Sequence, residues 1–449
     1  MRGLTRSRRL LSLGMLLVIP MVVGGTARAD LSTTEPGSII VFPKVVADGS
    51  RDTIIHLTNT SNMNLGLHCF YTNAYSTCAN DPNTVCTSDF GCIDPNDPND
   101  PNEVCTPFWD VIDFDVRLTA QQPTFWRVST GRSADVLAGS CRMGEVCSCE
   151  PTNDSDPNAP GISCPGFTSQ PGGSFVAPQG EQFIGELRCY EVNPQDPAAV
   201  QPMAFNKVKG EAIIETLASG EISAYNAVTI QANAATDGSG LNPDLDLVLN
   251  RQGMGAGEYN ACGDRVSFTH HGVDSSAQLP NGATGSVDTE VTLVPCSFID
   301  SEPIPVQLTL LAYNQAEERT SQSVDFPCYF SERLSGNYFS STFDAQADPQ
   351  GQFFKTEFVV STSPYCWTGD RKGEACNPAA TDPNDPLGCP GALDSDSGQF
   401  SLGCLPSPGV VGVFEEFYSL DMRPVGTAAG ELYNIGQKDF DIMVVPPGD

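Results

Sequence analysis

Residues 52–74 read DTIIHLTNTSNMNLGLHCFYTNA, and the reading of this stretch decides the fold. Leu65, Leu67, Cys69 and Tyr71 alternate with Gly66, His68 and Phe70, so one face is continuous and mostly apolar. That two-residue period belongs to a half-buried strand. Just before it, Asn59-Thr60-Ser61-Asn62 concentrates side chains that bond their own backbone, which favours a turn over continued pairing. The stretch is expected to be a β-hairpin.

The same pattern recurs downstream. Asp52-Thr53-Ile54-Ile55-His56-Leu57 is echoed by Asp288-Thr289-Glu290-Val291-Thr292-Leu293, and Leu65, Leu67, Cys69 and Asn73 match Val306, Leu308, Leu310 and Asn314. Phe114-Asp115 with Val128-Ser129-Thr130 matches Phe343-Asp344 with Val360-Ser361-Thr362. Arg142 to Cys147 matches Arg371 to Cys376, and Gly210-Glu211 matches Gly430-Glu431. The order is the same in both halves, as an internal duplication requires. Strands are expected near 38–46, 52–58, 65–73, 111–118, 124–129, 182–192, 207–216, 222–232 and 244–249, then near 265–270, 289–295, 305–313, 322–330, 338–345, 353–361, 410–420, 430–435 and 440–445. Many short strands with turn chemistry between them predict an all-β chain of two tandem antiparallel β-sandwich domains, immunoglobulin-like in topology, with disulfide-rich loop insertions. The expected boundaries are 30–249 and 259–449, joined by a glycine-rich linker at 250–258, with insertions at about 75–108, 139–172 and 364–406.

Residues 2–9 hold four arginines and no acid, Leu10 to Val23 is mostly apolar, and Ala27-Arg28-Ala29 follows. This is the order of a secretory signal peptide over residues 1–29, cleaved before Asp30. A secreted, extracellular or cell-surface protein is expected, the periplasm being the other address. The leader takes five of the 23 basic residues, leaving 18 against 55 acidic ones, a formal charge of −37. Nucleic acid and anionic membrane surfaces repel such a chain, and no later run approaches the ~18 apolar residues of a membrane span.

Seventeen cysteines in an exported chain imply disulfides. Twelve fall in three groups of four: Cys78, Cys86, Cys92 and Cys105; Cys141, Cys147, Cys149 and Cys164; Cys366, Cys376, Cys389 and Cys404. Each group can close two local bridges in three pairings, which spacing does not resolve. Cys69 and Cys189 lie on apolar-alternating strands, and the matching segments of the second half, at Leu310 and in Val410 to Leu420, lack cysteine together. Cys69–Cys189 is therefore expected as a bridge closing a loop of about 120 residues. Cys296–Cys328 is the next expected pair, which leaves Cys262 as the free or intermolecular thiol. The histidine-free groups in an oxidising compartment speak against zinc.

Acidic Pro/Asn tracts lie in or beside these insertions: DPNDPNDPNE from Asp94, NDSDPN from Asn153 and DPNDP from Asp382. Asp94, Asp97, Asp100, Asp382, Asp385, Asp394 and Asp396 are candidate Ca²⁺ ligands, since oxygen ligands at alternate positions are what calcium uses. The prolines stiffen the backbone away from an EF-hand turn, and a solvated, protease-resistant loop is the competing reading.

Catalytic motifs are sparse. There is no G-x-S-x-G, H-E-x-x-H or phosphate-cradling glycine loop. His270-His271 with Asp264 and Asp274 is a candidate metal or acid/base cluster, although adjacent strand residues point to opposite faces. Asp113 with Asp115, and Glu415 with Glu416, are candidate carboxylate pairs. All three tryptophans stand beside another aromatic, as Phe108-Trp109, Phe125-Trp126 and Tyr365-Cys366-Trp367. Outward rings would stack on sugars, and inward rings would fill a core.

Leu67-His68-Cys69-Phe70-Tyr71-Thr72-Asn73-Ala74, Gln122 to Trp126, Gly185 to Cys189 and Lys209-Gly210-Glu211-Ala212 together resemble an uncharacterised family of bacterial secreted, cysteine-rich β-sandwich proteins. The resemblance covers mainly residues 50–230 and implies extracellular placement without an activity. The resulting expectation is a non-enzymatic structural or binding protein whose partner is an extracellular protein or a glycan. The alternatives are a Ca²⁺-dependent or carbohydrate-binding adhesion module and an extracellular hydrolase.

Overall fold

The computed structural model describes residues 31–79, 110–132, 182–194, 201–232, 246–250, 259–273, 284–299, 304–336, 352–380, 403–420, 423–435 and 440–444, with short pieces between them. The described residues form several β-sheets and no helix.

The first half begins with β1 (Ile39–Ala47), β2 (Arg51–Asn59) and β3 (Leu65–Asn73), followed by the short pair β4 (Ser76–Cys78) and β5 (Cys105–Pro107). It continues with β6 (Asp110–Leu118), β7 (Pro123–Arg127), the short pair β8 (Glu150–Pro151) and β9 (Ile162–Ser163), and β10 (Phe183–Val192). β11 (Val208–Thr216), β12 (Glu221–Asn226) and β13 (Val228–Ile230) complete it. After β14 (Asp246–Asn250), the second half runs through β15 (Arg265–His271), β16 (Ala277–Gln278), β17 (Thr284–Pro295), β18 (Phe298–Ile299), β19 (Pro305–Tyr313), β20 (Arg319–Pro327) and β21 (Phe330–Arg333). β22 (Phe353–Val360), β23 (Tyr365–Cys366), β24 (Cys404–Leu405), β25 (Val410–Leu420), β26 (Arg423–Glu431), β27 (Tyr433–Ile435) and β28 (Phe440–Val444) are the last strands among the described residues.

In the first half β13-β1-β10-β3-β6 make one layer and β7-β2-β11-β12 the other, connected at a corner where Ala47 pairs with Asp52. The residues that alternate inward, among them Ile40, Phe42, Ile55, Leu57, Leu67, Tyr71, Trp126 and Leu187, fill the space between them. The second half repeats this plan. β27-β15-β22-β19-β20 make one layer, and β21-β17-β25-β26 make the other, with β16 added beside β17. Register supports the equivalence: Ile54 faces Arg127 as Glu290 faces Arg333, and Cys69 faces Cys189 as Leu310 faces Phe358.

β1 is buried on both faces because the second half covers its outer side. Ile39, Val41, Phe70, Tyr190 and Ile230 pack there with Val294, Phe298, Val411 and Met443. β14, expected as the last strand of the first half, instead pairs with β28 beside β18. The chain between the halves is thereby stitched to the C-terminal strand. Residues 251–258 of the expected linker lie outside the described residues. Of the expected strand at 338–345 only Phe339, Thr342 and Phe343 are among the described residues; they lie in turns and a bend, and the two phenylalanines fill the second core.

Cys69 and Cys189 face each other on β3 and β10 with Cα atoms 4.0 Å apart and are disulfide-bonded. The expectation for Cys296 is corrected. It bonds Cys262, and among the described residues the free thiol is Cys328. Both bonded cysteines belong to the apolar seam between the halves, where two distant segments meet. Burial pushes the Cys328 thiol up to about 12, which leaves little thiolate for intermolecular exchange. In the third insertion Cys366 bonds Cys389 and Cys376 bonds Cys404.

Candidate binding cleft at the junction

β1 carries a bulge: Phe42 faces Leu187 while Val45 faces Gly185, so two residues stand against Glu186 alone. Bulges re-aim side chains, and this one sends Lys44 out of the first half toward the second. Gly185 is required there, because a Cβ would overlap the Thr72 carbonyl oxygen. Lys44 is 1% exposed, and its Nζ lies 2.5 Å from Glu290 Oε1 while also pairing with Glu415. These two glutamates face each other across β17 and β25, an arrangement that repels unless a cation stands between them. Hydroxyls complete the shell: Ser223 donates to Glu415 at 2.5 Å and Ser331 donates to Glu290 at 2.9 Å. Burial opposes the Glu290 anion, yet the charges of Lys44, Arg51 and Arg333 outweigh it and hold this carboxyl at about 2.

Arg51 and Arg333 carry the network outward. Arg51 reaches Asp48 at 3.3 Å and Glu415 at 3.9 Å, and Arg333 reaches Asp288 at 3.5 Å and Glu290 at 3.6 Å. Above them opens a cleft of about 620 Å³ with one wall from each half. Asp48, Ser50, Arg51, Thr216 and Glu221 form the first wall; Ser286, Asp288, Arg333, Ser335, Phe417 and Tyr418 contribute to the second. The Asp288 side of the wall is a repeated device. Asp288 accepts from the Ser335 amide at 3.2 Å and its hydroxyl at 2.7 Å, just as Asp52 accepts from the Ser129 amide at 3.2 Å and its hydroxyl at 2.5 Å. The underlying sequence signal is Arg-x-Ser at 127–129 and again at 333–335.

The other sequence candidates fall as follows. His270 and His271 point apart, as strand geometry demands. His270 is buried against Phe268, Phe343 and Phe354, with Nε2 2.8 Å from Thr356 Oγ1, and desolvation lowers its pKa to about 4. His271 lies 3.2 Å from Glu416, whose other oxygen accepts from the Tyr418 hydroxyl at 2.6 Å. Burial works against the Glu416 anion, and these hydrogen bonds bring its pKa below the ordinary value. The carboxylate pair Glu415–Glu416 is split between two faces, one at the junction and one at His271. Asp264 offers its backbone carbonyl to Val360, and Asp274 lies outside the described residues. Asp113 and Asp115 are brought together around buried His68, at 3.8 Å and 3.0 Å.

All seven calcium candidates, Asp94, Asp97, Asp100, Asp382, Asp385, Asp394 and Asp396, lie outside the described residues. The sulfurs of Cys366, Cys376 and Cys389 cluster, but each is committed to a disulfide, so none offers a metal a thiolate. Trp126 is 1% exposed and its indole N–H donates to the Tyr71 hydroxyl at 2.7 Å, and Trp367 is buried likewise. Phe125 is 64% exposed, so in that pair the outward ring is the phenylalanine. No helix among the described residues is long and apolar enough to cross a membrane.

No protein-family model matches the chain, and no curated protein matches it.

Proposed function

We propose that this chain is a secreted, non-enzymatic binding or structural protein made of two tandem immunoglobulin-like β-sandwich domains, with ligand recognition in the cleft at their junction. One observation carries this reading: the cleft takes its walls from both halves and stands directly over the buried Lys44–Glu290–Glu415 cluster. A ligand lodged there meets guanidinium groups already oriented by Asp48 and Asp288, so little side-chain order has to be created on binding. Its hydroxyls, carboxylates and the rings of Phe417 and Tyr418 suit a small polar ligand such as a saccharide or a peptide end.

The hydrolase alternative finds its candidate pair in His271 and Glu416. That pair resembles a base with its orienting acid, but among the described residues no hydroxyl or thiol is bonded to the second imidazole nitrogen. The cleft is tested by screening the mature, disulfide-intact protein against glycan and peptide arrays beside Arg333→Ala. Binding lost in Arg333→Ala supports the reading, and binding unchanged in it sinks the cleft as the site. Melting in excess calcium and then in chelator tests the adhesion alternative: a calcium-specific rise of several degrees would favour it.

A further inference from the structure

The first half grips the second in a particular way. On the outer face of β10, Glu186 holds the Arg188 guanidinium through two contacts of 2.8 Å, and Arg188 donates to the main-chain carbonyls of Pro295 and, at 3.0 Å, Cys296. Phe298 of the same segment lies under the Arg188 guanidinium and against the Phe70 ring, 5.0 Å between centroids. An extended piece of chain is thus held by an oriented cation that reads its carbonyls and by an aromatic contact beside it.

The pairing registers place an equivalent face on the second half. Cys189 faces Cys69 and Ile40, as Phe358 faces Leu310 and Val266, so Glu186 and Arg188 correspond to Lys355 and Glu357, and Ile39 corresponds to Arg265. The charge pair is kept with its polarity reversed, and the aromatic contact is moved: Leu311 stands in place of Phe70, while Tyr313 stands in place of Thr72. Glu357, itself buried, holds Lys355 at 2.5 Å and Arg265 at 3.3 Å, and Lys355 lies over the Tyr313 ring. This face forms a groove of about 540 Å³, also lined by Thr269 and the exposed ring of Phe353.

We propose that this groove on β15, β22 and β19 holds an extended polypeptide segment of a partner protein, as the matching face of the first half holds Pro295–Phe298 of this chain. Lys355 and Arg265, oriented by Glu357, donate to the segment's main-chain carbonyls, and Phe353 and Tyr313 receive an apolar or aromatic side chain. The inference rests on the repeated strand plan and is independent of ligand binding at the junction cleft.

The test is a selection of linear random peptides displayed on phage against the full mature protein, followed by affinity measurement with the synthetic peptides recovered. Lys355→Glu reverses the exposed donor, and Thr269→Trp fills the groove from an exposed position; unchanged melting temperatures confirm that both fold. The expected result is a peptide whose Kd weakens about tenfold or more in each variant and is unaffected by Arg333→Ala in the cleft. Recovery of no peptide, peptides indifferent to both groove variants, peptides lost only in Arg333→Ala, or a groove that takes oligosaccharides on an array instead would each overturn it.

Discussion

The two halves share a strand plan and differ in what their faces carry. On the first, the outer face of β1 and β3 presents Ile39, Val41 and Phe70, and the second half covers it. On the second, the matching positions are Arg265, Ser267 and Leu311, of which Arg265 lines an open groove with Lys355 and Glu357. The opposite layers reverse the expectation. Ile54 and Ile213 lie partly exposed on the first half, while their counterparts Glu290 and Glu415, with side chains 12% and 2% exposed, flank buried Lys44 at the junction. Burial at the junction therefore tracks the partner supplied across it, here a lysine turned out by a bulge, more than hydrophobicity.

Removing that lysine should break the comparison most severely. Lys44→Ala removes the buried cation between two facing carboxylates, leaving them only the longer contacts of Arg51 and Arg333, and is expected to cost about 3 to 5 kcal/mol in urea unfolding. Replacing the cluster together, as Lys44→Met with Glu290→Leu and Glu415→Leu, should recover most of this, because well-packed apolar groups often equal a buried ion pair. Equal loss in both variants would show that packing, not charge, decides the junction.

The disulfide comes next. Cys69→Ala with Cys189→Ala is expected to cost about 2 to 4 kcal/mol. Writing the second half's solution into the first, as Cys69→Leu with Cys189→Phe, should lose less, since Leu310 and Phe358 fill the equivalent positions. A larger loss than with alanine would mean the two cores are not equivalent at this point.

A pH profile sharpens the contrast further. Glu191 is buried, which pushes its pKa from 4.5 up to about 7, although it accepts from the amides of Phe205 and Lys207; its counterpart in the second half is Val360. A raised carboxyl favours folding below its unfolded pKa and loses that contribution as pH rises through the folded one. Stability should fall between about pH 4.5 and 7 on account of Glu191, and Glu191→Gln should flatten this slope. Glu290 acts in the other direction: its contribution is full above 4.5 and is lost as pH falls toward about 2.

The smallest effect concerns one swapped partner. Arg127 pairs with Glu215 at 2.9 Å, whereas Arg333 lies 4.0 Å over the ring of Phe417, the equivalent position. Phe417→Glu should change stability by less than about 1 kcal/mol in denaturant titration, as partly exposed ion pairs and cation–π contacts contribute similar amounts.

Alternation made the strands legible, and the repeat was legible where it needed no gap: Asp52 to Leu57 with Asp288 to Leu293, and Leu65 to Asn73 with Val306 to Asn314. Beyond that the halves differ in loop length, and short matches slipped. Val128-Ser129-Thr130 corresponds to Leu334-Ser335-Gly336 instead of Val360-Ser361-Thr362, because β7 and β21 pair alike with β2 and β17. The strand equivalent to that of Cys189 is β22, and Val410 to Leu420 corresponds to β11; Cys69–Cys189 was still the pair because β22 also lacks cysteine. Cys262–Cys296 and the junction cleft were not legible, since each depends on how one half seats on the other. A bulge at Lys44 leaves no periodic signal, and facing glutamates on strands far apart in sequence read as ordinary surface acids.

Calorimetric unfolding of the mature, oxidised protein at neutral pH tests most directly whether the halves form one body locked at Lys44. A single transition is predicted, with calorimetric and van't Hoff enthalpies in agreement, that separates into two on Lys44→Ala. Two independent transitions in the parent protein would contradict it.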